Sequence, residues 1–344
     1  MMILEKGKLL STVAAGLLLV LLSPVPIFAQ SASESLSFNA IVGYYVPNHD
    51  GYGSSGFSPM DWSVLSGGTD ERDLGGWGGA ALLASLTYSR KFPVFVGDGP
   101  FFSGNNLEVT GKCEMTPLSI EGSAFTTLTP VAFLNFQAGG SVGTGWSLLG
   151  MTGLGINPNS NTLLIDDTPF GGALLRGWLA GTFQFDLAAV LPGDWNHVVV
   201  VATAKFEYRD NTAADKSDAW VWQADSGMNY DGWRYLGTYV LGYQMPKKVD
   251  FIGIMVDTEQ YLGDVRDYGT MATGWGSDFV TLIISPIVNI SFDERNSLSI
   301  IAQIKSTQDW SDLTTLNRFF GTRRYDGRQF YLYRIAFSYN LSLK

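Results

Sequence analysis

Few side chains in this chain could do chemistry. Its 344 residues include one cysteine, Cys113, and two histidines, His49 and His197. These are far apart in sequence and give no zinc-ligand spacing. His49 stands beside Asp50 in Asn48-His49-Asp50, a pair that holds a metal only with further ligands. His197 precedes Val198-Val199 next to a turn and reads as a wetted interface residue rather than a base. No Gly-rich phosphate loop and no nucleic-acid signature is present. The richer pattern is a set of charges in steps of two: Glu108, Lys112 and Glu114; Glu121; Arg176 and Asp186; Lys205, Glu207 and Arg209; Arg234; Lys305; and Arg334. A period of two puts such residues on one face of a β-strand. Opposite charges sharing one face can pair with each other or line a polar passage for ions and small solutes.

The strands that must carry these charges alternate visibly. In residues 331–343, Tyr331, Tyr333, Ile335, Phe337, Tyr339, Leu341 and Leu343 form one apolar row, and the row between them, which holds Arg334, is mostly polar or small. Residues 36–46 place Leu36, Phe38, Ala40, Val42, Tyr44 and Val46 on one face. Residues 80–88, 105–115, 118–128 and 131–144 continue the pattern. The clearest hairpin runs from 173 to 208 around the turn Leu191-Pro192-Gly193-Asp194. Leu179, Phe183 and Phe185 on its first arm and Val198, Val200, Phe206 and Tyr208 on its second share the apolar side. Arg176, Asp186, Lys205, Glu207 and Arg209 share the other. Residues 233–245 alternate with Trp233, Tyr235, Tyr239, Leu241 and Tyr243 outward. Residues 249–258 alternate poorly, so their faces and that of Asp250 stay unassigned. Residues 279–292 contain Pro286, where a bulge or local break is expected. Residues 298–305 complete the set.

This makes twelve strands. Most exceed the 5–6 residues usual in soluble sheets and match the roughly 9–11 of a tilted membrane-crossing strand. An even count puts both termini on one side. Short turns at 129–130, 191–194, 246–248 and 293–296 then share that side, with 89–104 as a longer exception. The long segments 47–78, 147–171, 210–229, 259–275 and 307–328 share the other, where the turn near Pro117 is the one short connection. Trp77, Trp146, Trp195, Trp233, Trp275 and Trp310 fall near strand ends, as an interfacial girdle requires. The formal net charge of −10 arises in the loops, whereas the inward charges are nearly balanced or slightly basic. Residues 1–29 read as a cleavable signal peptide: Lys6 and Lys8 precede a ten-residue apolar run, Val13 to Leu22, too short to span a bilayer as a helix. The expected organisation is therefore a signal peptide at 1–29 and, over 30–344, an all-β, single antiparallel transmembrane up-and-down β-barrel of about 12 strands.

The terminal strand and the alternating hairpins resemble the bacterial outer-membrane β-barrel superfamily, which includes the porins. The stretch from Asn106 to Trp146 (NLEVTGKCEMTPL…LTPVAFLNFQAGGSVGTGW) is also similar to uncharacterised exported barrels of spirochaetes. The resemblance implies an outer-membrane location, contact with outer-membrane lipid, and handling by periplasmic chaperones and the barrel-assembly machinery. One departure is the ending Ser342-Leu343-Lys344, where such barrels usually finish on an aromatic residue. The enzymes of this superfamily set demands that the chain does not visibly meet. A phospholipase of that kind needs a His-x-Ser pair, which neither histidine supplies. An omptin-like protease needs paired Asp and Asp–His groups at the barrel mouth, for which the sequence leaves open acidic pairs such as Asp166-Asp167.

No catalytic residue, cofactor or metal is expected. The expected function is a narrow passive channel for small hydrophilic solutes or ions, with Lys205, Arg209, Arg234 and Arg334 as its basic lining. The alternative is a non-conducting structural or surface-interaction barrel that acts through its long acidic outer loops.

Overall fold

The computed structural model describes residues 32–46, 79–148, 151–157, 168–216, 218–223, 229–267, 278–311 and 324–344. The signal segment, His49 and Asp166-Asp167 lie outside these residues, as do Trp77 and Trp275. In chain order the strands are β1 (Ser33–Tyr45), β2 (Gly79–Pro93), β3 (Asn106–Thr116), β4 (Ser119–Val131), β5 (Leu134–Gly145), β6 (Ser147–Leu148), β7 (Met151–Thr152) and β8 (Leu154–Asn157). They continue as β9 (Leu174–Asp186), β10 (His197–Asn211), β11 (Ala219–Trp222), β12 (Gly232–Gln244), β13 (Val249–Tyr261), β14 (Thr281–Ser291), β15 (Asn296–Ser311) and β16 (Arg324–Ser342).

Twelve of them close a barrel in the order β1-β16-β15-β14-β13-β12-β10-β9-β5-β4-β3-β2. Neighbours pair antiparallel, and β16 closes on β1 from Ser37–Ser342 to Tyr45–Arg334. No sheet edge is left open at the closure, which is the condition for a sheet to cross lipid. The alternation read from the sequence becomes an outer apolar wall. Leu241 is 61% exposed and Leu179 60%, and Val42, Leu82, Leu86, Phe136, Phe183, Ile254 and Phe337 join them around the barrel. An apolar band this extensive would aggregate in water, so lipid must cover it.

Several details depart from the sequence expectations. Pro286 causes no bulge, and the expected break is confined to one side of the strand. The β13 ladder runs in register through Ile254–Pro286, and only the β15 ladder omits Ser285 and Pro286. The segment 307–328 begins and ends as strand, because β15 and β16 pair as far as Ser311–Arg324, and residues 312–323 between them lie outside the described residues. The segment expected as a loop from 259 begins inside β13, which ends at Tyr261.

The opening row of the last strand also needs correction. Its register against β15 slips between Gln303–Arg334 and Ile304–Leu332, leaving Tyr333 as the extra residue. A one-residue slip exchanges the two faces of a strand. Below the bulge Ile335, Phe337, Tyr339 and Leu341 face lipid. Above it Phe330 and Leu332 take that side, exposed outward, and Tyr331 and Tyr333 turn to the lumen.

Candidate functional site

The lumen has two tiers, separated by position along the strands. Toward the outer ends of β3, β4, β9, β10, β12 and β13 lies a belt of paired charges. Lys112 donates to Glu114 at 2.5 Å. Arg176 pairs with Glu121 across β5. Glu207, 1% exposed, accepts from Lys205 Nζ at 2.6 Å and from Arg234 Nη2 at 2.6 Å, with Arg209 Nε at 3.5 Å. Arg234 pairs on its other side with Glu259. Like charges stand directly opposite at Glu114–Glu121 and at Arg209–Arg176, a costly arrangement alone. Each is relieved sideways by an opposite charge, so the belt works as a linked unit. Arg209 is further held by Asn229 Oδ1 at 2.7 Å and lies over the Trp220 ring.

Nearer the periplasmic ends the inward face is mostly uncharged. Asn39 donates to Ser338 Oγ at 2.9 Å, and Ser299 donates to Asn289 at 2.8 Å. Thr182 and Thr203 share a hydrogen bond of 2.9 Å, and Thr129 donates to Asn135 at 2.7 Å. Charges here are sparse and held locally. Asp250 accepts from Asn289 and Ser291. Lys91 faces Glu108 at 3.7 Å. His197 Nδ1 lies 2.6 Å from Asp186, whose other oxygen accepts from the Ala188 backbone N–H at the turn. This fixes His197 as part of a turn clamp.

The closing wall carries a third arrangement. Arg334 donates from Nε to Gln303 Oε1 at 2.6 Å and from Nη1 to the Tyr45 hydroxyl at 3.0 Å. Its guanidinium lies 5.5 Å from the Tyr45 ring centre and 5.7 Å from that of Tyr333. Lys305 Nζ stands 4.8 Å over the Tyr333 ring. Gly43 makes room for the arginine stem: a Cβ there would lie 3.1 Å from Arg334 Cδ.

A small two-stranded cap packs onto the inner wall above the charged belt. β8 and β11 pair as a two-stranded sheet, Leu154–Trp222 to Asn157–Ala219. Leu154, Leu174, Trp220 and Trp222 form its apolar core, in which Trp220 is fully buried. Trp220 Nε1 donates to Asp231 at 3.0 Å, and that same oxygen accepts from the Asn211 backbone. Gln223, in the left-handed region at φ 53°, donates its backbone N–H to Gly153 O and its amide to Ser119 Oγ at 2.9 Å. Trp222 rests on the inner wall at Gly143, where a Cβ would come within 2.9 Å of its ring.

The structure thus brings Lys112, Glu114, Glu121, Arg176, Lys205, Glu207, Arg209 and Arg234 into one paired belt. Glu108 and Asp186 sit apart from it in local pairs toward the periplasmic end, and Arg334 and Lys305 sit on the closing wall. Sequence reading missed Asp257, which accepts from Thr238 at 2.7 Å, and Glu259, the second partner of Arg234. With these and Asp250 on the inner face, the slight excess of bases expected there is offset. Tyr45 and Tyr333 were also missed as lumen residues. Of the expected girdle, Trp195 is exposed at the periplasmic turn and Trp233 at an outer strand end. Trp146 holds Pro117 O at 2.9 Å.

A closed antiparallel barrel with an apolar exterior and a polar interior has the fold of a transmembrane β-barrel protein. No protein family matches the chain, and no curated protein does. Among solved structures it is similar to the translocator domain of autotransporter NalP from Neisseria meningitidis, at 10% identity over 98% of this chain and 94% of that one, with a TM-score of 0.36. It is similar to a bacterial polysaccharide outer membrane secretin at 8% identity over 90% and 98%, with a TM-score of 0.38. It is also similar to Salmonella typhi OmpF, solved with daunomycin, at 6% identity over 91% and 97%, with a TM-score of 0.28.

Proposed function

We propose that this barrel is a narrow passive channel for small hydrophilic solutes or ions. The observation that carries the reading is the inner surface, polar from the Ser/Thr/Asn tier to the charged belt. Such a lining supports a water-filled lumen, whereas a purely structural barrel is as well served by an apolar, packed interior. Because the belt is internally paired, solutes meet its dipoles more than its bare charges. Single-channel recording of the pure, folded protein in planar bilayers tests the reading. Discrete conductance steps support it, and a silent bilayer rejects it.

A second reading rests on the cap. β8 and β11 pack onto the inner wall with a core of their own, as suits a non-conducting barrel that presents its outer segments to a partner. In that case removing outer segments abolishes partner binding while the barrel still folds. In either case periplasmic chaperones and the barrel-assembly machinery would deliver the chain to the outer membrane. No catalytic step is proposed.

A further inference from the structure

We infer that Arg334 is a coordinating site in the lumen for small anions, such as those bearing carboxylate or phosphate; this rests on the channel reading. The reasoning begins with the basic residues on the inner face. Lys112, Arg176, Lys205, Arg209 and Arg234 each have a carboxylate within ion-pair distance. Such pairs present little net charge to a passing ion. Arg334 is held differently. Its contacts are a neutral amide, a phenol and two aromatic faces, and among the described residues no carboxylate lies within ion-pair distance of it.

Those neutral partners orient the guanidinium without cancelling its charge. Gln303 takes Nε and Tyr45 takes Nη1, while Nη2 has no partner among the described residues and keeps its donors for a ligand. A planar guanidinium with a free donor edge suits carboxylate and phosphate oxygens. Lys305 stands on the adjacent strand, over the Tyr333 ring of the same wall. The Tyr333 bulge places the Tyr333 ring in the lumen beside both cations, where it can also pack against the apolar part of an organic anion.

The test is the reversal potential of the reconstituted full chain under a potassium chloride gradient. Arg334→Gln should lower the chloride-to-potassium permeability ratio, on the order of fivefold for one charge removed from a narrow path. Arg334→Lys should keep the ratio close to that of the unaltered protein. An unchanged ratio in Arg334→Gln overturns the inference while the channel reading stands. If the folded protein passes no current, the channel reading fails on its own. The site is then judged by calorimetric titration of the detergent-solubilised barrel with inorganic phosphate. Heat that Arg334→Gln abolishes upholds the site, and absent or equal heat overturns it. Circular dichroism of each variant guards against misfolding.

Discussion

The two tiers of the lumen solve the same problem by opposite means. Both consist of inward-facing polar side chains that must find partners away from bulk water. The periplasmic tier uses short neutral side chains in pairwise contacts, such as Thr182 with Thr203 and Asn39 with Ser338. The outer tier uses long charged side chains that share partners, with Glu207 bound by three bases and Arg234 by two acids. Neutral pairs fail one at a time. A shared carboxylate takes several cations with it, so the outer tier should be far less tolerant of substitution.

The largest expected effect is therefore at Glu207. Glu207→Gln leaves Lys205, Arg209 and part of Arg234 without their common anion and should cost about 3–5 kcal/mol. Denaturant unfolding in lipid or detergent, followed by tryptophan fluorescence, measures it. A loss below about 1 kcal/mol would show that the belt is not coupled. Next comes the cap that rests on the belt. Trp220→Ala empties its core and should weaken it by about 3 kcal/mol. Proteolysis of the segment around 219–223 should speed up while the barrel stays folded, and in a conducting barrel the single-channel conductance should rise. Thr203→Val in the neutral tier should cost about 1 kcal/mol, the value of one neutral hydrogen bond. A cost equal to that at Glu207 would erase the distinction between the tiers.

The smallest effect lies outside the membrane, in the turn after β14. There the Arg295 backbone N–H, followed by the Asn296 side chain, holds the Asp293 carboxyl below its ordinary range. A depressed folded value means that the contribution is complete above the unfolded value of about 3.9 and disappears as pH falls through the folded one. The unfolding midpoint should fall more steeply with acid in the unaltered protein than in Asp293→Asn, and identical profiles would deny the turn any such role.

Much of the fold was legible because lipid imposes a simple rule. Where one face must be apolar and the other polar, as at 173–187 and 198–208, alternation assigns both faces and the charges follow. The pattern fails where both faces are apolar. Phe330-Tyr331-Leu332-Tyr333 reads equally well in either phase, so a one-residue bulge leaves no trace in the sequence, and only the pairing with β15 shows which rings enter the lumen. The same ambiguity covers β13: Phe251, Ile252, Ile254, Met255 and Val256 hide its phase, and with it the inward positions of Asp257 and Glu259. The cap was illegible for another reason, since the short strands β8 and β11 are joined by a contact between distant segments that neither signals alone.

By itself, then, the sequence determined the number of barrel strands and the side on which most inward charges lie. These depend on a local period of two that the membrane enforces along each strand. Which charges cancel was decided only by the tertiary structure. Pairing across strands is set by register, and register sets Glu207 between three bases while Arg334 is left among tyrosines and an amide.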